Sequence, residues 1–170
     1  MKRRTKCYIY TRVSTSMQVD GYSLDVQKDL FCGFIEFCYF ALTAAATLLR
    51  MTVLSEVEVY RNNPLMNANL VYLGFVLLIL GLFQCIFVGG FFKTAYRFAR
   101  PFVTFIVAAF LVVGLGEALF HIPGMAALNA FGFAHIGLQI CVLLLGMVIY
   151  FSLTLLSMQR AMRNFEKIDL

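Results

Sequence analysis

Beyond residue 30 the chain alternates long apolar stretches with short polar ones, and charge vanishes from two of the stretches altogether. No Asp, Glu, Lys or Arg occurs from Ala68 to Phe92, and none occurs between Glu117 and Arg160. A helix needs about 20 apolar residues to cross roughly 30 Å of hydrocarbon. Four segments reach that length, at about residues 30–49, 69–91, 101–120 and 133–156. The pattern predicts an all-α, polytopic membrane protein with four transmembrane helices, preceded by a short non-membrane segment over residues 1–29. The connections agree with those boundaries. Arg61-Asn62-Asn63-Pro64 reads as a turn, and Pro64 cannot continue a helix arriving from the first span. Pro101 suits the first turn of the third helix, where a missing N–H costs nothing. His121-Ile122-Pro123-Gly124 closes that helix, and the apolar stretch Met125 to Gly132 is too short to cross. It is expected to lie along the interface or to re-enter part way.

Composition sharpens this picture without redirecting it. The chain is 61% hydrophobic and 14% charged, whereas charged residues make up about a quarter of a soluble domain. Basic residues then orient the spans. All but two of the fourteen Lys and Arg fall before the first span, between the second and third (Lys93, Arg97, Arg100), or after the fourth (Arg160, Arg163, Lys167). Only Arg50 and Arg61 lie on the other side, with Glu56 and Glu58 nearby. The excess of Lys and Arg marks the cytoplasmic face, so both termini are expected inside. Orientation accounts for Lys93, Arg97 and Arg100 without any contact to nucleic acid.

Met1 to Lys6 is basic, but Cys7 to Gln27 is mixed and polar rather than an apolar core, so a signal peptide is not expected. The five cysteines form no C-x-x-C pair, and four of them sit in apolar stretches. They read as small reduced hydrophobes rather than as metal ligands or disulfides. His121 and His135 have no acidic or histidine partner at ligand spacing, so neither metal nor cofactor is expected.

Polar side chains within the spans are the candidate working groups. Glu36 sits in the first span and Glu117 near the outer end of the third. An Asp at the centre of a span costs roughly 2.5–3.5 kcal/mol on insertion scales, so such carboxylates face a cavity or partner, or reach the interface from a helix end. Both are candidates for a transport path or proton relay. Gln84 in the second span and Gln139 in the fourth are read as hydrogen-bonding between helices. Small residues at helical spacing, Ala41 with Ala45 and Gly114 with Ala118, offer places for helices to approach closely. Tyr39, Tyr72, Tyr96 and Tyr150 are candidate membrane anchors.

The first 30 residues carry a different pattern. Tyr8-Ile9-Tyr10-Thr11-Arg12-Val13-Ser14-Thr15-Ser16-Met17-Gln18, followed by Tyr22-Ser23-Leu24-Asp25-Val26-Gln27, resembles the start of a serine recombinase of the large integrase type. The resemblance implies a strand through Tyr8 to Tyr10 and Ser14 as the nucleophile attacking a DNA phosphate, with Arg12 and Gln18 beside that phosphate. Phosphoryl transfer also needs several fixed cationic donors around its charged transition state. The family places them in an arginine cluster later in its catalytic domain, and no such cluster follows here. No catalytic residue is therefore expected to operate. A gene fusion, a mobile-element insertion or a mis-joined reading frame would leave a junction of this kind.

From about Arg61 onward the chain resembles the C-terminal, four-span part of a bacterial type-2 ABC exporter permease. The similarity rests on Asn63-Pro64-Leu65-Met66-Asn67-Ala68-Asn69, on Leu73-Gly74-Phe75 and Leu80-Gly81-Leu82-Phe83, and on the ending Asn164-Phe165-Glu166-Lys167-Ile168-Asp169-Leu170. It implies a multi-pass subunit of the bacterial cytoplasmic membrane, paired with a second permease and with separate ATP-binding subunits. The chain has no Walker-type G-x-x-x-x-G-K-[ST] sequence with which to bind ATP itself. Two other readings stand beside this one. One is a recombinase-derived, DNA-binding fragment tethered to the membrane, and the other is a membrane scaffold or regulator that transports nothing.

Overall fold

The computed structural model describes residues 24–61, 64–93 and 98–165. Every regular element among the described residues is helical, and four helices are long and apolar enough to cross a membrane: Gly33–Met51, Leu70–Phe91, Ala99–Phe120 and Ile136–Arg160. The chain divides into two compact units, Met1–Cys38 and Tyr39–Leu170. Helix α1 (Leu24–Met51) is unbroken, so the chain is already helical several residues before its apolar span begins. The recombinase-like residues Arg12, Ser14 and Gln18 lie outside the described residues, as does the end of the chain beyond Phe165.

After α1 come a 3-10 turn at Val53–Glu56 and the short α2 (Glu58–Arg61). The next crossing is one rod built of three pieces: α3 (Leu70–Leu82), a π-helical stretch at Phe83–Val88, and α4 (Gly89–Lys93). Helix α5 (Ala99–Phe120) follows, with Pro101 in its first turn, where its missing N–H breaks no helical hydrogen bond. A loop with a 3-10 turn at Ala126–Asn129 leads to α6 (Ile136–Phe165).

Within the Tyr39–Leu170 unit, α3 is the central element. Over its most apolar window its rod is 39% buried, against 6% for α5 and 11% for α6. Its buried residues Val71, Leu73, Val76 and Leu77 are not confined to one stripe, because α5 and α6 cover different sides of it. Cross-contacts fix the directions. Leu70 meets Gln139 near the start of α6, and Gln84 meets Ser157 near its end, so α3 and α6 run parallel. Helix α5 runs the other way: Phe75 and Phe120 pack edge to face at 6.0 Å, whereas Phe83 and Phe105 do so at 5.3 Å further along.

Helices α3 and α6 approach closely at Gly74 and Gly146. A methyl group added to Gly146 would stand 2.7 Å from the Gly74 carbonyl oxygen, and one added to Gly74 would stand 2.9 Å from that of Val142. Only hydrogen fits at this crossing, and small residues of this kind let backbones meet in membrane helices. The pairs expected to serve that purpose do not. Gly114 has nothing within 4 Å of an added methyl, and Ala41, Ala45 and Ala118 are exposed. Spacing alone places small residues on a common face but does not say which face meets a neighbour.

The outer surface is strongly apolar. Phe110, Leu111 and Leu115 on α5, and Leu144, Leu145, Val148, Phe151 and Leu155 on α6, are all exposed. A water-soluble monomer rarely presents contiguous apolar patches beyond a few hundred Å². Lipid tails are the medium that such faces suit.

Candidate functional site

One end of the Tyr39–Leu170 unit gathers a cluster of buried polar groups. They begin with Asn69, the N-cap of α3, whose Oδ1 accepts from the Tyr72 N–H at 3.0 Å. The same side chain donates through Nδ2 to the carbonyls of Leu128 (3.1 Å) and Ala130 (3.0 Å) in the loop before α6. Asn67 pairs with Asn129 of that loop through one main-chain and one side-chain group on each residue. Its N–H donates to Asn129 Oδ1 at 2.7 Å, and its Nδ2 donates to the Asn129 carbonyl at 2.8 Å. Gln139 finishes the clamp from α6. It is fully buried, its Oε1 accepts from the Leu70 N–H at 3.2 Å, and its Nε2 donates to the carbonyls of Gly132 (3.0 Å) and Ala134 (2.7 Å).

The clamp has a clear physical cause. The first N–H groups of a helix have no partner inside it, and irregular backbone at membrane depth must find partners within the protein. The loop before α6 turns tightly, with Gly132 at φ +58° and His135 at φ +54°, a conformation uncommon for a residue with a side chain. The Gln139 amide takes up the carbonyls that this turn leaves open. In the same way Asn69 serves the first turn of α3 and two loop carbonyls at once.

Glu117 closes the site from the last turns of α5. The Met66 N–H lies 3.0 Å from Oε1 and 3.2 Å from Oε2, so both carboxylate oxygens share one donor. One turn on, His121 Nδ1 lies 2.7 Å from the Glu117 main-chain carbonyl at the end of α5. Two cavities of about 360 Å³ each share Met66 and Tyr72 in their walls, and this carboxylate lines one of them. The first is bounded by Glu117, Tyr39, Phe75 and aliphatic residues of α3 and α5. The second, along the C-terminal half of α1, is bounded by Thr43, Thr47 and Arg50. Thr47 is fully buried.

The other candidates lie elsewhere. Glu36 is a buried residue of α1 in the Met1–Cys38 unit. Gln84 sits in the π-helical stretch, and the link there is made by its main-chain carbonyl rather than its amide. That carbonyl accepts from Ser157 Oγ of α6 at 2.8 Å and also from the Gly89 N–H. A π turn displaces carbonyls from the regular ladder, and the buried Ser157 hydroxyl meets the one at Gln84. Among the described residues no three His, Cys, Asp or Glu side chains group as a metal site would require. No family model, curated protein or solved structure matches the chain.

Sequence reasoning singled out Glu117 and Gln139 one at a time and passed over Asn67, Asn69 and Asn129. A signal was present. Asn69 stands just before an apolar run, the position of an N-cap. The pairing of Asn67 with Asn129 spans 62 residues of chain and has no local signature.

Proposed function

We propose that the chain is an integral membrane, permease-type subunit of a bacterial ABC exporter, which works with a second permease and a separate ATP-binding subunit. The observation that carries the reading is the polarity of the helical unit. Met51 at the end of α1, Asn69 before α3, Phe120 at the end of α5 and the loop before α6 share one end. Lys93 at the end of α4, Arg100 at the start of α5 and Arg160 on α6 mark the opposite one. Basic residues collect on the cytoplasmic side of a membrane protein. On this reading the clamp, Glu117 and both cavities face outward, and both termini are cytoplasmic. Four apolar helices and a cavity lined by a carboxylate from one of them support the reading of a permease subunit. The resemblance of residues 61–170 to exporter permeases supplies the partner class.

The reading predicts that the tagged chain, extracted in mild detergent from membranes of its native cell, brings down an ATP-binding subunit in stoichiometric amount. Recovery of the chain alone, or from the soluble fraction, would count against it.

A further inference from the structure

We infer that the cavity beside Glu117 is a binding site for a lipophilic organic cation. This deepens the permease reading by naming a ligand class, and it rests on that reading only for the step from binding to export.

Glu117 lies within an apolar span, where a carboxylate is costly unless a cation or several donors compensate it. Here one main-chain N–H, that of Met66, is shared between its two oxygens, and no ion pair to it exists among the described residues. The carboxylate borders a cavity of about 360 Å³, within the ordinary range for small-molecule pockets. Tyr39, Tyr72 and Phe75 contribute aromatic walls. Aromatic faces attract cations through their quadrupole, and more strongly where water is scarce.

The rest of the lining narrows the choice. Aliphatic side chains such as Val76 and Ile79 complete the walls and leave few oxygen donors. A hard metal ion takes about six oxygens and cannot be satisfied by one carboxylate and two phenols. A bare proton would need neither the volume nor the aromatic walls. Arg50 borders the neighbouring cavity and does not line this one. The positive end of a ligand is therefore expected at Glu117, with its apolar body along α3 and α5.

The test is equilibrium binding of radiolabelled tetraphenylphosphonium to the purified full chain in zwitterionic-lipid nanodiscs, with protein-free discs subtracted. Tetraphenylborate, alike in shape and opposite in charge, is the control. Saturable binding of the cation at one site per chain is expected, with none for the borate. Glu117→Gln keeps an acceptor for the Met66 N–H and removes the charge, so binding should weaken by about tenfold or more. Tyr39 is exposed on α1 and removes an aromatic wall when changed to Leu without disturbing the core, so Tyr39→Leu should weaken binding severalfold. Equal binding of the borate, or unchanged affinity in Glu117→Gln and Tyr39→Leu, would overturn the site. A chain that binds the cation but associates with no ATP-binding subunit refutes the permease reading and leaves the site standing. One that associates but binds no cation refutes the site alone.

Discussion

Asn69 does three things with one amide: it caps α3 at Tyr72 and holds the carbonyls of Leu128 and Ala130. A cap is worth about 0.5–2 kcal/mol, and side-chain hydrogen bonds between membrane helices average about 0.6 kcal/mol. Asn69→Ala should therefore destabilise the bundle by roughly 1–3 kcal/mol. The measurement is the thermal midpoint of monodisperse protein in detergent, and an unchanged midpoint would refute the role given to this residue. Much of the site was legible at this scale wherever a polar side chain stood alone in an apolar run. Glu117 and Gln139 were conspicuous for that reason. What stayed hidden was their company. Neither the sharing of the Met66 N–H by Glu117 nor the reach of Gln139 to Leu70 follows from spacing, because both join segments more than fifty residues apart.

Between elements, the contact of α3 with α6 depends on hydrogen atoms at Gly74 and Gly146. Gly146→Ala puts a methyl 2.7 Å from a main-chain oxygen, which neither helix can yield without moving apart. Overpacking of this sort costs typically about 1–3 kcal/mol. Gly114→Ala, with nothing within 4 Å, is the matched control and should leave the midpoint unchanged or slightly higher. Similar loss in both variants would mean that the crossing at Gly74 and Gly146 is not its source. The π-helical stretch gives a second element-scale prediction. Ser157→Ala leaves the Gln84 carbonyl with the Gly89 N–H but without the hydroxyl, and should lower stability by about 0.5–1.5 kcal/mol. The spans themselves were legible, since length and missing charge determine them. The π turn was not, because Phe83–Val88 holds no Gly or Pro to mark a break in the helix. The choice of Gly74 over Gly114 was equally silent, as both sit among apolar residues that either lipid or a helix would accept.

The Tyr39–Leu170 unit has a polar, hydrogen-bonded end and a basic end, separated by apolar faces suited to lipid. The orientation proposed above predicts that alkaline phosphatase fused after Gly124 is active and that the same enzyme fused after Leu170 is inactive, since it gains activity only outside the cytoplasm. The reverse pattern would invert the bundle and place the Glu117 cavity on the cytoplasmic side. The recombinase-like head over residues 1–29 has no part in this account. Its Ser14, Arg12 and Gln18 lie outside the described residues. The most direct test of the permease proposal is ATP turnover by the purified ATP-binding partner in liposomes, with and without this chain and its second permease. A severalfold rise that depends on this chain, and that Gly146→Ala diminishes, is the predicted result. Turnover indifferent to the chain's presence would contradict the proposal.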